Sequence, residues 1–184
     1  MQRLERRNYS DFAKWADSLM KSATALEPKV KAIESGFIPK LEKRAKIESR
    51  AGSTFEFNTP GRLDNNIRRV IDVDIRGCRR FFEGFTERLS KAVGEVTSDL
   101  RMSIDAQGWS EGRIEAGQRA VSKHIEDRME VVSHHLDFFG ENVARAKTYD
   151  ELLGTLKHME LVFELVLGDL DKIRPVTLTL LRDE

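Results

Sequence analysis

The chain of 184 residues has one cysteine, four prolines and no net charge. Each scarcity excludes something. The lone thiol, Cys78, permits no internal disulfide and no CxxC-type metal site. With so few prolines, long stretches contain nothing that forces a helix to stop. No apolar run approaches the ~20 residues that span a bilayer. The best of them, Leu161–Leu167, contains Glu164. Basic and acidic residues are equal at 31 each, so the chain lacks the strongly basic balance of a nucleic-acid binder. The first twenty residues carry Arg3, Glu5, Arg6, Arg7, Asp11, Lys14 and Asp17 and do not read as a signal peptide. The expected setting is a reducing, cytoplasmic one, without a membrane span.

What is present is charge and regular apolar spacing. Charged residues make up 34% of the chain and hydrophobic residues 40%, a composition that suits long helices rather than disorder. The neutral total hides a gradient. Met1–Arg50 has twelve basic against seven acidic residues, and Ala106–Glu184 has ten against fifteen. The two ends can attract each other, within one molecule or between two, although exposed pairs contribute only ~0–1 kcal/mol each.

Four apolar stripes advance in alternating steps of three and four, the spacing of one helical face. The first helix is expected from an N-cap at Ser10, with Phe12, Leu19, Ala23, Leu26, Val30, Ile33 and Phe37 on its stripe. Pro28 falls inside that stripe and predicts two nearly collinear pieces, with Pro39 a second kink. AGSTFEFNTP is turn-rich and holds a short strand-like alternation. Thr59 and Pro60 then open a second helix whose stripe includes Cys78, Phe82, Phe85, Leu89 and Val96. After the turn DAQGWSEG, a third stripe runs through Val121, Ile125, Val132, Leu136 and Phe139. A capping box, Thr148 to Glu151, opens the fourth helix, which Pro175 should end before the alternating VTLTLL. No glycine or proline forces a break at Thr148, so a single continuous third and fourth helix is the alternative. The fourth helix carries apolar residues on several sides, among them Leu161, Val162, Leu165 and Leu167, and is expected to be the most buried.

The fold class that follows is all-α: one domain over 1–184, an antiparallel bundle of about four long amphipathic helices with heptad-like packing. The helices are expected at about 10–49, 60–105, 111–147 and 149–174, with short extended segments at 53–58 and 176–181.

Chemistry is concentrated in QRAVSKHIEDRMEVVSHHLDFF, which holds three of the four histidines. On a helical wheel with Val132 at the centre of the stripe, His134 and Arg119 point outward, while His124, His135 and Arg128 lie on the flanks. No Glu-x-x-His pair of the kind that builds bundle metal sites occurs, so no metal or other cofactor is expected. A site joining His135 to His158 of the fourth helix is geometrically open. The arginines and phenylalanines interleaved in RRVIDVDIRGCRRFFEGFTER read as a salt-bridged face beside core rings rather than a base-stacking platform. No GxxxxGK[ST] or GxGxxG motif is present.

Two short resemblances bear on function. Arg119-AVSK-His124 and Arg128-MEVVS-His134 resemble the Arg-x(4–6)-His motif of the HEPN class of helical RNases. That resemblance implies an arginine and a histidine beside an RNA phosphate. Ala120 and Met129 stand where that class usually has a polar residue. ARAKTYDELLGTLKHME is similar to the helix junction of phasins, which implies a coat on a polyester granule. The residues themselves point to a non-enzymatic module for protein–protein interaction or assembly. Its expected partner is another protein or a second copy of itself rather than nucleic acid.

Overall fold

Among the described residues, five α-helices follow one another: α1 (Gln2–Thr24), α2 (Glu27–Ala51), α3 (Leu63–Gln107), α4 (Glu111–Arg145) and α5 (Tyr149–Leu180). The structure is a computed structural model that describes residues 2–51 and 63–180, with side chains over 11–48 and 68–173. Among the described residues there is no strand, and no helix is long and apolar enough to cross a membrane. The molecule is an all-α bundle of long amphipathic helices.

The helix ends show why the breaks fall where they do. The expected first helix is divided at Ala25 and Leu26, where Leu26 N–H donates to the Ala23 carbonyl at 3.3 Å. Pro28 is the second residue of α2, in the first turn, where its missing N–H leaves no bond unmade. Helix α2 runs on through Pro39. Helix α1 starts at Gln2 rather than at Ser10. The stretch before Ser10 is rich in glutamine, arginine, leucine and glutamate, all good helix formers. Thr59, Pro60 and the expected extended segment at 53–58 lie outside the described residues.

At the other end, α5 continues past Pro175 to Leu180, so the expected extended segment at 176–181 is helical as far as it is described. Val-Thr-Leu alternation favours a strand only through pairing with a neighbouring one, and no described strand offers that pairing. A proline forfeits one backbone bond, and the established helix before it supplies the nucleus for the turn that follows.

Between α3 and α4, Gly108 takes φ +60°. The Gly108 and Trp109 N–H groups both donate to the Ile104 carbonyl, at 3.0 and 3.4 Å. The Trp109 bond is the six-to-one bond of a Schellman cap, and Ile104 and Trp109 are both buried beside it. Nothing crowds the position of a Cβ at Gly108, so the left-handed backbone alone demands glycine. Gly108→Ala should therefore cost ~1–2 kcal/mol. Urea denaturation reads the loss directly; an unchanged midpoint would show that the cap rearranges freely.

The chain divides into two compact units. In the first (1–27, 86–134 and 163–184), α1 runs opposite to α3, with the Arg101 guanidinium 5.3 Å from the Phe12 ring and Met20 against Gly94. Trp15 Nε1 donates to Ser122 Oγ on α4 at 2.8 Å. The interior is formed by Leu19, Leu89, Val93, Val121, Ile125, Phe163 and Leu170.

In the second unit (28–85 and 135–162), Phe37, Phe82 and Phe139 meet as three tilted rings, with centroids 5.7, 5.8 and 6.1 Å apart. Helix α2 secures the corner where α4 ends and α5 begins. Lys40 Nζ donates to the Val143 and Ala144 carbonyls at 2.5 and 2.9 Å, placing a cation on the last turn of α4. The Tyr149 N–H, at the first residue of α5, donates to Glu48 Oε1 at 3.0 Å. That carboxylate sits at the positive end of α5. The Tyr149 hydroxyl donates to Asp74 Oδ2 of α3 at 2.6 Å. The α4–α5 junction is thus a turn, not a continuous helix. The capping box is formed: Glu151 N–H donates to Thr148 Oγ1 at 3.2 Å and Thr148 N–H to Glu151 Oε2 at 3.3 Å.

Candidate functional site: the groove of the α4–α5 hairpin

The histidine-rich stretch of α4 falls in both units, and its residues separate as its helical phase requires. Arg119 is exposed. His134 is exposed too and lies 3.6 Å from Glu130, one turn back on the same helix. Five helical steps turn Arg119 ~140° from His124, and six turn Arg128 ~120° from His134. Neither Arg–His pair faces a common point along its own helix.

Packing instead brings His124 and Arg128, one turn apart, to Asp169 of α5 in the first unit. Arg128 Nη1 is 3.2 Å from Asp169 Oδ2. His124 Nε2 and Arg128 Nε are buried without a hydrogen-bond partner. Burial and the neighbouring Arg128 charge hold the His124 imidazole below its ordinary value of 6.5. The Asp169 and Asp127 carboxylates only partly oppose them. An arginine already neutralised by an aspartate is poorly placed to receive a phosphate. The cluster reads as a polar clamp between α4 and α5.

The clamp has a pH signature. The folded chain disfavours protonated His124, whereas the unfolded chain protonates it near 6.5. Below that pH the unfolded state binds more protons, so stability should fall as pH drops through the window under 6.5. It should be fully present above it. Denaturation midpoints of the wild type and His124→Gln, followed from neutral to mildly acidic pH, should converge in slope only above the window. Identical slopes throughout would remove His124 from this role.

Cys78 is buried, and burial, with Asp74 and Glu160 nearby, pushes its thiol up to about 12. It is a small core side chain and not a nucleophile. Phe82 and Phe85 are core rings too. Arg76 donates to the Asp72 carbonyl at 3.0 Å, and Arg79 lies 3.7 Å from Glu42 of α2.

What does converge lies in the second unit. His135, Phe138 and Arg145 from α4 and Glu151, Gly154 and His158 from α5 line an open groove of about 530 Å³. The hairpin turn brings them together, and α2 fixes the turn through Lys40 and Glu48. His135 and His158 share this groove, but among the described residues no group of three His, Cys, Asp or Glu side chains is placed to hold a metal ion. The floor is apolar, with Phe139, Ala146 and Met159. At its edge Phe138 is 51% exposed, and Leu161 is 59% exposed on the same unit. Among the described residues, no neighbouring atom stands within 4 Å of a Cβ built at Gly154. A helical glycine costs ~1 kcal/mol relative to alanine, and no packing among the described residues requires this one.

The additional apolar residues of α5 lie off its buried stripe: Leu161 and Leu165 face outward, at 59% and 62% exposure. One face of α5 fills the bundle and a second is presented to solvent.

Compared with protein families, with characterised proteins and with solved structures, the chain has no match.

Proposed function

We propose that this chain is a non-enzymatic protein-interaction module and that the α4–α5 groove of the second unit is its binding face. One observation carries the reading: an open apolar-floored groove with exposed Phe138 at its edge, on the unit that also exposes Leu161. Apolar side chains scattered singly on a surface need no explanation, but a concave apolar patch rimmed by polar groups marks a contact surface. The groove between two antiparallel helices is shaped for a further helix, as in helix-in-groove recognition. The separation of the Arg–His pairs and the pairing of Arg128 with Asp169 give no comparable support to RNA cleavage.

Site-specific photo-crosslinking tests the reading. A benzophenone amino acid in place of Leu161 should give discrete protein adducts in the cells that make the protein. The same group in place of Glu83, exposed on α3, should not. Equal adduct patterns at both positions, or none at 161, would overturn the proposal. RNA cleavage by the purified chain that disappears in His124→Ala would overturn it from the other side.

A further inference from the structure

Helices α2 and α3 of the second unit present a face that the groove does not use. On α3, steps of ~100° per residue fix each position relative to the buried Phe82. Asp72, Asp74 and Glu83 all fall within ~100° of it. The opposite side, ~120–240° away, carries Arg69, Val70, Val73, Arg76, Gly77 and Arg80 and no carboxylate. All six are exposed, the two valines at 48% and 54%. Arg79 ties α2 alongside through Glu42, and Phe37 meets Phe82 beneath. The exposed residues of α2 over 28–48 include Lys31, Lys43 and Lys46 and nothing acidic. Two of its carboxylates, Glu42 and Glu48, are engaged with Arg79 and the Tyr149 N–H.

The asymmetry is large. Over 28–48 and 68–85, exposed basic residues number eight and exposed acidic residues two. Over 135–162 the figures are three and four. Basic charge is thus gathered on two of the unit's helices, in a chain whose total is zero. We infer that the α2–α3 face rests on an anionic lipid surface, with the arginines at headgroup phosphates and the valines in the layer beneath. An anionic leaflet favours each basic residue held near it by roughly fivefold in partitioning. Arg76 spends its Nε on the Asp72 backbone carbonyl, a neutral acceptor that leaves its charge in place. The valines decide between anionic partners. A headgroup layer offers phosphates at no fixed position and hydrocarbon just below, so it satisfies arginine and valine together. Nothing stands within 4 Å of a Cβ built at Gly77, between the valines, among the described residues. Nucleic acid offers the phosphates, but its apolar groups are base faces, which take aromatic rings. An acidic protein would need carboxylates set to match Arg69, Arg76 and Arg80, which span ~16 Å of helix.

Co-sedimentation of the full chain with lipid vesicles tests the inference, which does not rest on the groove. Vesicles of phosphatidylcholine with phosphatidylserine should carry the chain down, and phosphatidylcholine alone should not. Added salt should release it. Arg69→Gln and Arg80→Gln should each weaken partitioning roughly fivefold. Lys157→Gln, exposed on α5, should leave it unchanged. Val73→Ser keeps every charge and should still weaken binding, which attraction to a simple polyanion would not show. All four side chains are exposed, so the melting temperatures should match the wild type, and lost binding then does not report misfolding. Equal binding to neutral vesicles, or no binding to either kind, would overturn the inference. Binding indifferent to the arginines or to Val73→Ser would overturn it too. So would a chain that ignores the vesicles but holds duplex DNA or polyglutamate through Arg69 and Arg80, since the face would then belong to nucleic acid or to an acidic protein.

Discussion

Phe163→Ala should lower the free energy of unfolding by ~3–5 kcal/mol, a large share of what a domain of this size holds in reserve. Phe163 is 1% exposed. The Arg88 guanidinium lies 5.2 Å from its ring centroid and also holds Glu164 at 2.7 Å. Removing the ring therefore takes away buried apolar surface, leaves a cavity, and strips the arginine of its stacking partner. Two residues earlier on the same helix, Leu161→Ala should change stability by no more than ~0.5 kcal/mol, because that side chain is mostly in water. The contrast is the test. Urea denaturation of both variants should show one large loss and one near-zero change. Similar small losses at both positions would make α5 a surface helix. Similar large losses would mean that its outward face is covered.

The same pair of residues shows what could be read from periodicity and what could not. The α5 stripe through Leu152, Leu156, Met159, Phe163, Val166, Leu170 and Ile173 is buried throughout, because steps of three and four fix one face regardless of context. Leu161 and Leu165 are equally apolar but lie off that face. Whether a second apolar face is core or surface depends on what packs against it, and hydrophobicity along one helix does not contain that information. The capping box at Thr148 was legible because its bonds are local. The corner it sits in was not, since Lys40 and Glu48 reach it from about a hundred residues away. The tail misled for the opposite reason: strand-like alternation is a local signal, but a strand exists only through its neighbour.

The candidate site was legible in the same partial way. The wheel puts His135 on a flank of α4 and leaves a site with His158 geometrically open, and the hairpin brings both into one groove. Arg145, Glu151 and Gly154 were not singled out as groove residues. Gly154 carried the one available hint, a glycine inside a helix with no turn to make. The Arg128 contact to Asp169 had no signal beyond the position of Arg128 at the edge of the stripe, because α4 alone does not say which residue of α5 it meets. Arg-x(4–6)-His spacing, by contrast, suggested a pair that helical phase separates.

Phe37→Ala should produce a loss comparable to that at Phe163, and its cause can be divided. Phe37 is fully buried and meets both Phe82 and Phe139, with ring centroids 5.7 and 5.8 Å away. Truncation to alanine should cost ~3–5 kcal/mol. Replacement by leucine keeps most of the apolar volume and loses the ring geometry, so it should cost less than half as much. What remains of the loss reports shape and ring–ring preference rather than burial. A double-mutant cycle with Phe82→Leu isolates that part. Coupling of ~0.5–1.5 kcal/mol is expected for tilted rings in contact. Additive losses would show that the three phenylalanines act only as apolar bulk. Strong coupling would make the cluster the element that fixes how α2, α3 and α4 pack, and with it the corner from which the α4–α5 groove is held open.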